Sequence, residues 1–93
     1  MKLPVMYDAL SISKKIRVRM EYICIQGGNC SYCKAPLSGP ADDRVKCKPV
    51  NDRLFPSGFF KWPVHLHHDR KTGLTIGAVH NYCNAVLWQY HGE

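Results

Sequence analysis

The chain has 93 residues, five of them cysteine, with thirteen lysines and arginines against seven acids and a net charge of +6. So short a chain buries too little apolar surface for comfortable stability without a disulfide, a metal or a partner subunit. The odd cysteine count and the lack of an apolar run after Lys2 argue against a secreted, disulfide-built domain, and no stretch approaches the ~20 apolar residues that cross a bilayer.

A metal is therefore the expected staple, in a soluble protein of a reducing, cytoplasmic compartment with no membrane partner. The positive charge favours a polyanionic partner, nucleic acid first.

Residues 1–10, with Pro4, carry no evident chemistry. From there Ile12, Ile16, Met20 and Ile23 recur at helical spacing, predicting a helix over 11–26 with one apolar stripe on the core. Ser11 or Ser13 suits its N-cap, and Gly27-Gly28 suits its end. Lys14, Lys15, Arg17 and Arg19 fall on the other faces, expected in solvent and against phosphates. Cys24 reads as a small buried hydrophobe.

Residues 28–37 hold Cys30-Ser31-Tyr32-Cys33. Two thiols at this spacing approach one zinc from a tight knuckle, whose backbone amides offset thiolate charge. A thioredoxin-like redox pair would instead open a helix after a strand; here a helix precedes the motif and Pro36 follows it. Residues 38–63, with Gly39, Pro40, Pro49, Pro56, Gly58 and Pro63, favour turns and short extended pieces. Phe55, Phe59, Phe60 and Trp62 are expected to fold this segment back onto the core, and Cys47 reads as an ordinary free thiol.

The segment 64–90 reads as strand, turn, strand and helix. Val64 to His68 alternates, Thr72-Gly73 supplies a turn, Leu74 to Val79 returns, and a helix runs from about Asn81 to Tyr90. His80-Asn81-Tyr82-Cys83 repeats the two-residue gap of the first knuckle. Cys30, Cys33, His80 and Cys83 are thus expected to form a closed structural zinc site that ties the first helix to the last. Tyr32, Tyr82, Trp88 and Tyr90 read as core around it, and His91 has no assigned role.

The run His67-His68-Asp69, then Thr72-Gly73, Gly77, His80 and Cys83-Asn84, with Leu87 after it, resembles the HNH endonucleases of the ββα-metal type. It is most similar to the phage recombination endonuclease VII branch. The likeness covers roughly residues 28–37 and 65–88. It implies His67 as first ligand of a catalytic divalent ion, His68 as the base that activates water, and Asn84 as second metal ligand. Two substitutions set the chain apart from that branch: His67 stands for an Asp, which favours transition ions over Mg²⁺, and Arg70 stands where another His is frequent. No long dimerising helix follows Trp88, so junction-resolving activity is not expected to carry over.

Adjacent strand residues point to opposite faces, so His67 and His68 can share a site only where the strand ends or bends. His65 reads as a partly buried His, with a third metal ligand as the alternative, and Asp69 as a group that orients a neighbour or caps the turn rather than binding metal. The expectation is one α+β domain over 1–93, a small zinc-stabilised HNH ββα-metal unit with a leading basic helix. It would be a metal-dependent DNA endonuclease with structural Zn²⁺ and a catalytic Mg²⁺, Mn²⁺ or Ni²⁺. Lys14, Lys15, Arg17, Arg19, Arg70 and Lys71 would grip DNA, as a monomer or a homodimer. The alternative is a zinc-dependent nucleic-acid-binding module without catalysis.

Overall fold

The computed structural model describes residues 3–92, so Lys2 lies outside the described residues. The order is a single 3-10 turn (Tyr7–Ala9), α1 (Ile12–Ile25), a one-turn α2 (Asp43–Lys46), a second 3-10 turn (Asp52–Leu54), β1 (Val64–His68), β2 (Thr75–His80) and α3 (Asn81–His91). It is a small α+β arrangement: three helices around a two-stranded antiparallel sheet. Among the described residues no helix is long and apolar enough to cross a membrane.

Ser11 caps α1 by accepting from the Lys14 amide at 3.3 Å. Gly27 and Gly28, both at positive φ, close its end. Gly28 N–H donates to Ile23 and Gly27 N–H to Cys24, the paired bonds that satisfy a helix's last carbonyls.

The buried face of α1 is not the expected one. Ile12, Ile16 and Met20 are exposed, Ile23 is half-buried, and Val18 and Tyr22 enter the core. The reason lies in the sheet, whose main-chain groups need partners where the helix crosses it. Tyr22 Oη bonds the Thr75 hydroxyl at 2.9 Å, Arg19 reaches the Val64 carbonyl, and Gln26 brackets Ala78. Gln26 Oε1 accepts from the Ala78 N–H at 2.9 Å, and Gln26 Nε2 donates to the Ala78 carbonyl at 3.0 Å. A purely apolar stripe would leave the Ala78 N–H without the acceptor it has in Gln26, although the Ala78 carbonyl also accepts from Ser31 N–H. Cys24 falls on the outer face with Ile16 and Met20 and is exposed, contrary to the buried place expected for it.

Segment 38–63 does fold back. Ala41 and Val45 are buried in the core, and Asp42 caps α2 through the Arg44 amide. Its main chain is held by side chains of α3: Tyr90 Oη and Gln89 Nε2 donate to the Pro49 carbonyl, and Asn81 Nδ2 donates to Phe60. Phe55, Phe59 and Phe60 are half-buried, but Trp62 remains 62% exposed.

The lead also has structure. The Val5 carbonyl accepts from Thr75 N–H, the Tyr7 N–H donates to the Gly73 carbonyl, and Met6 bridges Leu74. The lead thus pairs with the chain just where the hairpin turns.

Candidate functional site

Two constellations adjoin the hairpin. The first joins both knuckles. Sγ of Cys30, Cys33 and Cys83 and a ring nitrogen of His80 all lie within 4.8 Å of one another, and all four residues are buried. His80 Nδ1 is 3.4 Å from Cys33 Sγ and 3.6 Å from Cys83 Sγ. Ligands about 2.0–2.3 Å from one tetrahedral zinc would sit about 3.6 Å apart.

The tautomer of His80 also fits. Its Nε2 lies 2.9 Å from the Pro36 carbonyl, which can only accept, so the proton is on Nε2 and the bare Nδ1 faces the sulfurs. A backbone carbonyl fixing the far nitrogen is a usual outer partner of a metal-bound His.

The knuckle forms because Lys34 takes a left-handed turn at φ 71°, letting Cys30 N–H reach the Ala35 carbonyl and Tyr32 N–H reach Cys30 Sγ. A hydrogen bond from Cys83 holds the pKa of the Cys30 thiol well below its usual value against burial, which raises it, with backbone amides adding to the lowering. The same bond, burial and the nearby thiolates push Cys83 up. Packed thiolates repel unless a cation lies among them, and three sulfurs with one imidazole make a donor set suited to structural zinc.

The second constellation is a cavity of about 310 Å³ against the end of β1. His67, His68, Arg70 and Asn84 line it, with Phe55 and Trp88 opposite. The first two share it because the strand is irregular there: His67 pairs with Gly77 but His68 pairs with Thr75, leaving Ile76 as the extra residue. A bulge adds twist and re-aims side chains, which meets the condition that adjacent residues on a regular strand would violate.

His67 is buried, at 5% exposure. His68 is half-buried, stacked on Tyr7 with centroids 4.0 Å apart and planes 10° from parallel. Lys15 Nζ sits over the same Tyr7 ring at 4.2 Å. Burial lowers the His68 pKa; Asp8 opposes this, while His67, Lys15 and Arg70 reinforce it.

Asn84 comes from the first turn and a half of α3, and its Nδ2 donates to His65 Nδ1 at 3.1 Å. The amide oxygen is then the ligand atom that Asn84 has to offer the cavity. His65 packs edge-on against Phe59 at 4.7 Å, and its pKa is lowered mainly by burial. His65 therefore orients Asn84. Asp69 caps the hairpin turn, its Oδ1 accepting from the Lys71 amide at 2.7 Å.

The six cations expected to grip phosphate scatter. Arg19 and Arg70 reach the cavity region, Arg70 lying 5.3 Å from the Trp88 ring. Lys15 belongs to the Tyr7 stack. Lys14 and Lys71 are exposed, and Arg17 lies on the outer face of α1 with Ile16 and Met20. Trp88, expected as core around the zinc, instead faces the second cavity, and Tyr90 is 45% exposed. Side chains that line the cavity region without a signal for it in the sequence are Tyr7, which carried none, and Phe55 and Phe59, which read only as core. They reach it only through the lead's pairing with the hairpin and the fold-back of 38–63.

Comparison with protein-family models, with curated proteins and with solved structures found no match.

Proposed function

We propose that the chain is a metal-dependent endonuclease of the HNH, ββα-metal type, hydrolysing phosphodiester bonds in DNA and stapled by zinc on Cys30, Cys33, His80 and Cys83. The observation that carries this reading is the convergence of His67, His68 and Asn84 on one cavity. They come from two elements, and a bulge lies between the first two. Zinc binding alone requires none of the three.

His67 and Asn84 would hold the second ion, and as neutral donors they leave its charge available to phosphate. When bound, such an ion supplies positive charge to the phosphate oxygens and to the departing oxygen. His68 acts as general base. Burial favours its neutral ring, and the Tyr7 stack fixes the ring plane. A ring nitrogen takes the proton as the water oxygen bonds to phosphorus. The bond to the 3′ oxygen then breaks, and that oxygen is protonated from solvent, leaving 5′-phosphate and 3′-hydroxyl ends. Arg70, at the rim, steadies the anion. Exposed Lys14 and Lys71 extend a grip on the backbone with little sequence preference.

The test is purified protein on supercoiled plasmid with and without Mg²⁺, Mn²⁺ or Ni²⁺. Nicking or linearisation that depends on the added ion is expected, and His68→Ala should reduce it ~10²–10⁴-fold with fold and zinc retained. If His68→Ala cuts as fast as wild type, or no ion elicits cutting, the chain is a binding module.

A further inference from the structure

The cavity beside His67 continues into a second one of about 460 Å³, and Pro56, Phe59, His68 and Asn84 line both. The two thus adjoin as one groove across His68 and Asn84. A tryptophan and an arginine line each arm: Trp88 with Arg70 in one, Trp62 with Arg19 in the other. Trp62 stands 62% exposed, an apolar area left in water beside cations.

From this we propose that the groove binds a single, unpaired polynucleotide strand, with bases stacked in both arms and the backbone carried across His68. Flat aromatic faces are of use only to bases whose own faces are free. A duplex keeps its bases stacked on one another and offers the arms only phosphates, for which arginines alone would suffice. Aromatic platforms interleaved with cations along a groove are how sequence-tolerant single-strand binding is built. Phe59, at the junction, can wedge between the two bases and keep the strand splayed where the bond is to be cut. The inference rests on the nuclease reading for the bond that is cut, but not for the strand that is bound.

The chain has two tryptophans, one in each arm, so each can report separately. The experiment measures binding of oligodeoxythymidylate, oligouridylate and a DNA duplex of equal length to the zinc-loaded protein without added divalent ion. Indole emission is followed in wild type, Trp62→Phe and Trp88→Phe. Expected are preference for a single strand, quenching of the remaining indole in each variant, and a five- to 150-fold (roughly) weaker affinity in Trp62→Ala. Preference for DNA or RNA distinguishes the two strands, and either supports the groove. A duplex bound as tightly as the strands overturns it, as does an indole in either arm that stays unquenched.

Cleavage of circular single-stranded DNA and of relaxed duplex DNA separates the two readings. A strand bound but never cut removes the nuclease and leaves the groove. Duplex cut while strands go unbound removes the groove and leaves the nuclease.

Discussion

Gly77→Ala should destabilise the protein severely, although its backbone lies outside the positive-φ region. A Cβ there would meet Gln26 Oε1 at 2.8 Å, Ser31 Oγ at 2.9 Å and Ser31 Cβ at 3.0 Å. The Gln26 amide can swing away, but only by releasing its bonds to Ala78, which is fully buried. A buried N–H left without its acceptor costs about 1–3 kcal/mol. A rotamer can move Ser31 Oγ but not its Cβ, because Ser31 N–H is itself bonded to the Ala78 carbonyl and the residue sits inside the Cys30–Cys33 knuckle. Overpacking of this kind costs about 1–3 kcal/mol. A loss of about 2–6 kcal/mol follows, or a Tm lower by roughly 8 °C at the least for a domain of this size. Thermal and urea unfolding at saturating zinc measure it. In a Gln26→Ala background the first contact is already gone, so adding Gly77→Ala should cost at least about 1 kcal/mol less than it does in wild type. If Gly77→Ala falls within about 0.5 kcal/mol of wild type, or the two losses simply add, the close approach described here is wrong.

Cys83→Ser should leave the chain unfolded at any zinc concentration that saturates wild type, and metal analysis of wild type should find one zinc per chain. Acidification should release that zinc, because protons compete for the thiolates and for His80 Nδ1; retention of zinc in acid would count against the ligand set. Cleavage should rise with pH to a plateau, its midpoint below the ordinary His value of ~6.5, since burial favours the neutral ring of His68 that accepts a proton. Tyr7→Ala, which removes the stack, should weaken cleavage and move that midpoint while leaving zinc content unchanged. His65→Phe keeps the packing on Phe59 but not the bond to Asn84; it should raise the concentration of added ion needed for half-maximal cleavage, and an unchanged requirement would refute His65 as the orienting group.

The clustering of Cys30, Cys33, His80 and Cys83 was legible because two equal gaps leave few ways to close a site. The hairpin was legible because alternation and Thr72-Gly73 mark a turn locally. The inward face of α1 differs from the apolar stripe, since counting apolar residues at helical spacing ignores what the sheet asks of the helix. Tyr22, Gln26 and Arg19 face inward for their hydrogen bonds, and the isoleucines are left outside. Tyr7 beside His68 could not be foreseen, because the pairing of Val5 and Tyr7 with Thr75 and Gly73 joins distant parts of the chain through the backbone. Trp88 reads in the sequence as core around the zinc site, yet the fold-back of Phe55 turns its helical face into a cavity wall.

Segment 38–63 is tied to α3 mainly through its carbonyl oxygens: those of Lys48, Pro49 and Phe60 accept from Tyr82, Tyr90 and Asn81, and that of Pro63 accepts from the Asn81 amide. Any residue type presents a carbonyl, so the attachment is indifferent to which side chains the segment carries. Phe55, Phe59 and Trp62 are thus mounted on a frame that would survive their replacement. Libraries varied at these three positions, with Asn81, Tyr82, Gln89 and Tyr90 left intact, should stay folded while their ligand preferences diverge. The same separation of mounting from cavity lining would let the lining of the groove change without rebuilding the scaffold that gathers Cys30, Cys33, His80 and Cys83 beneath it.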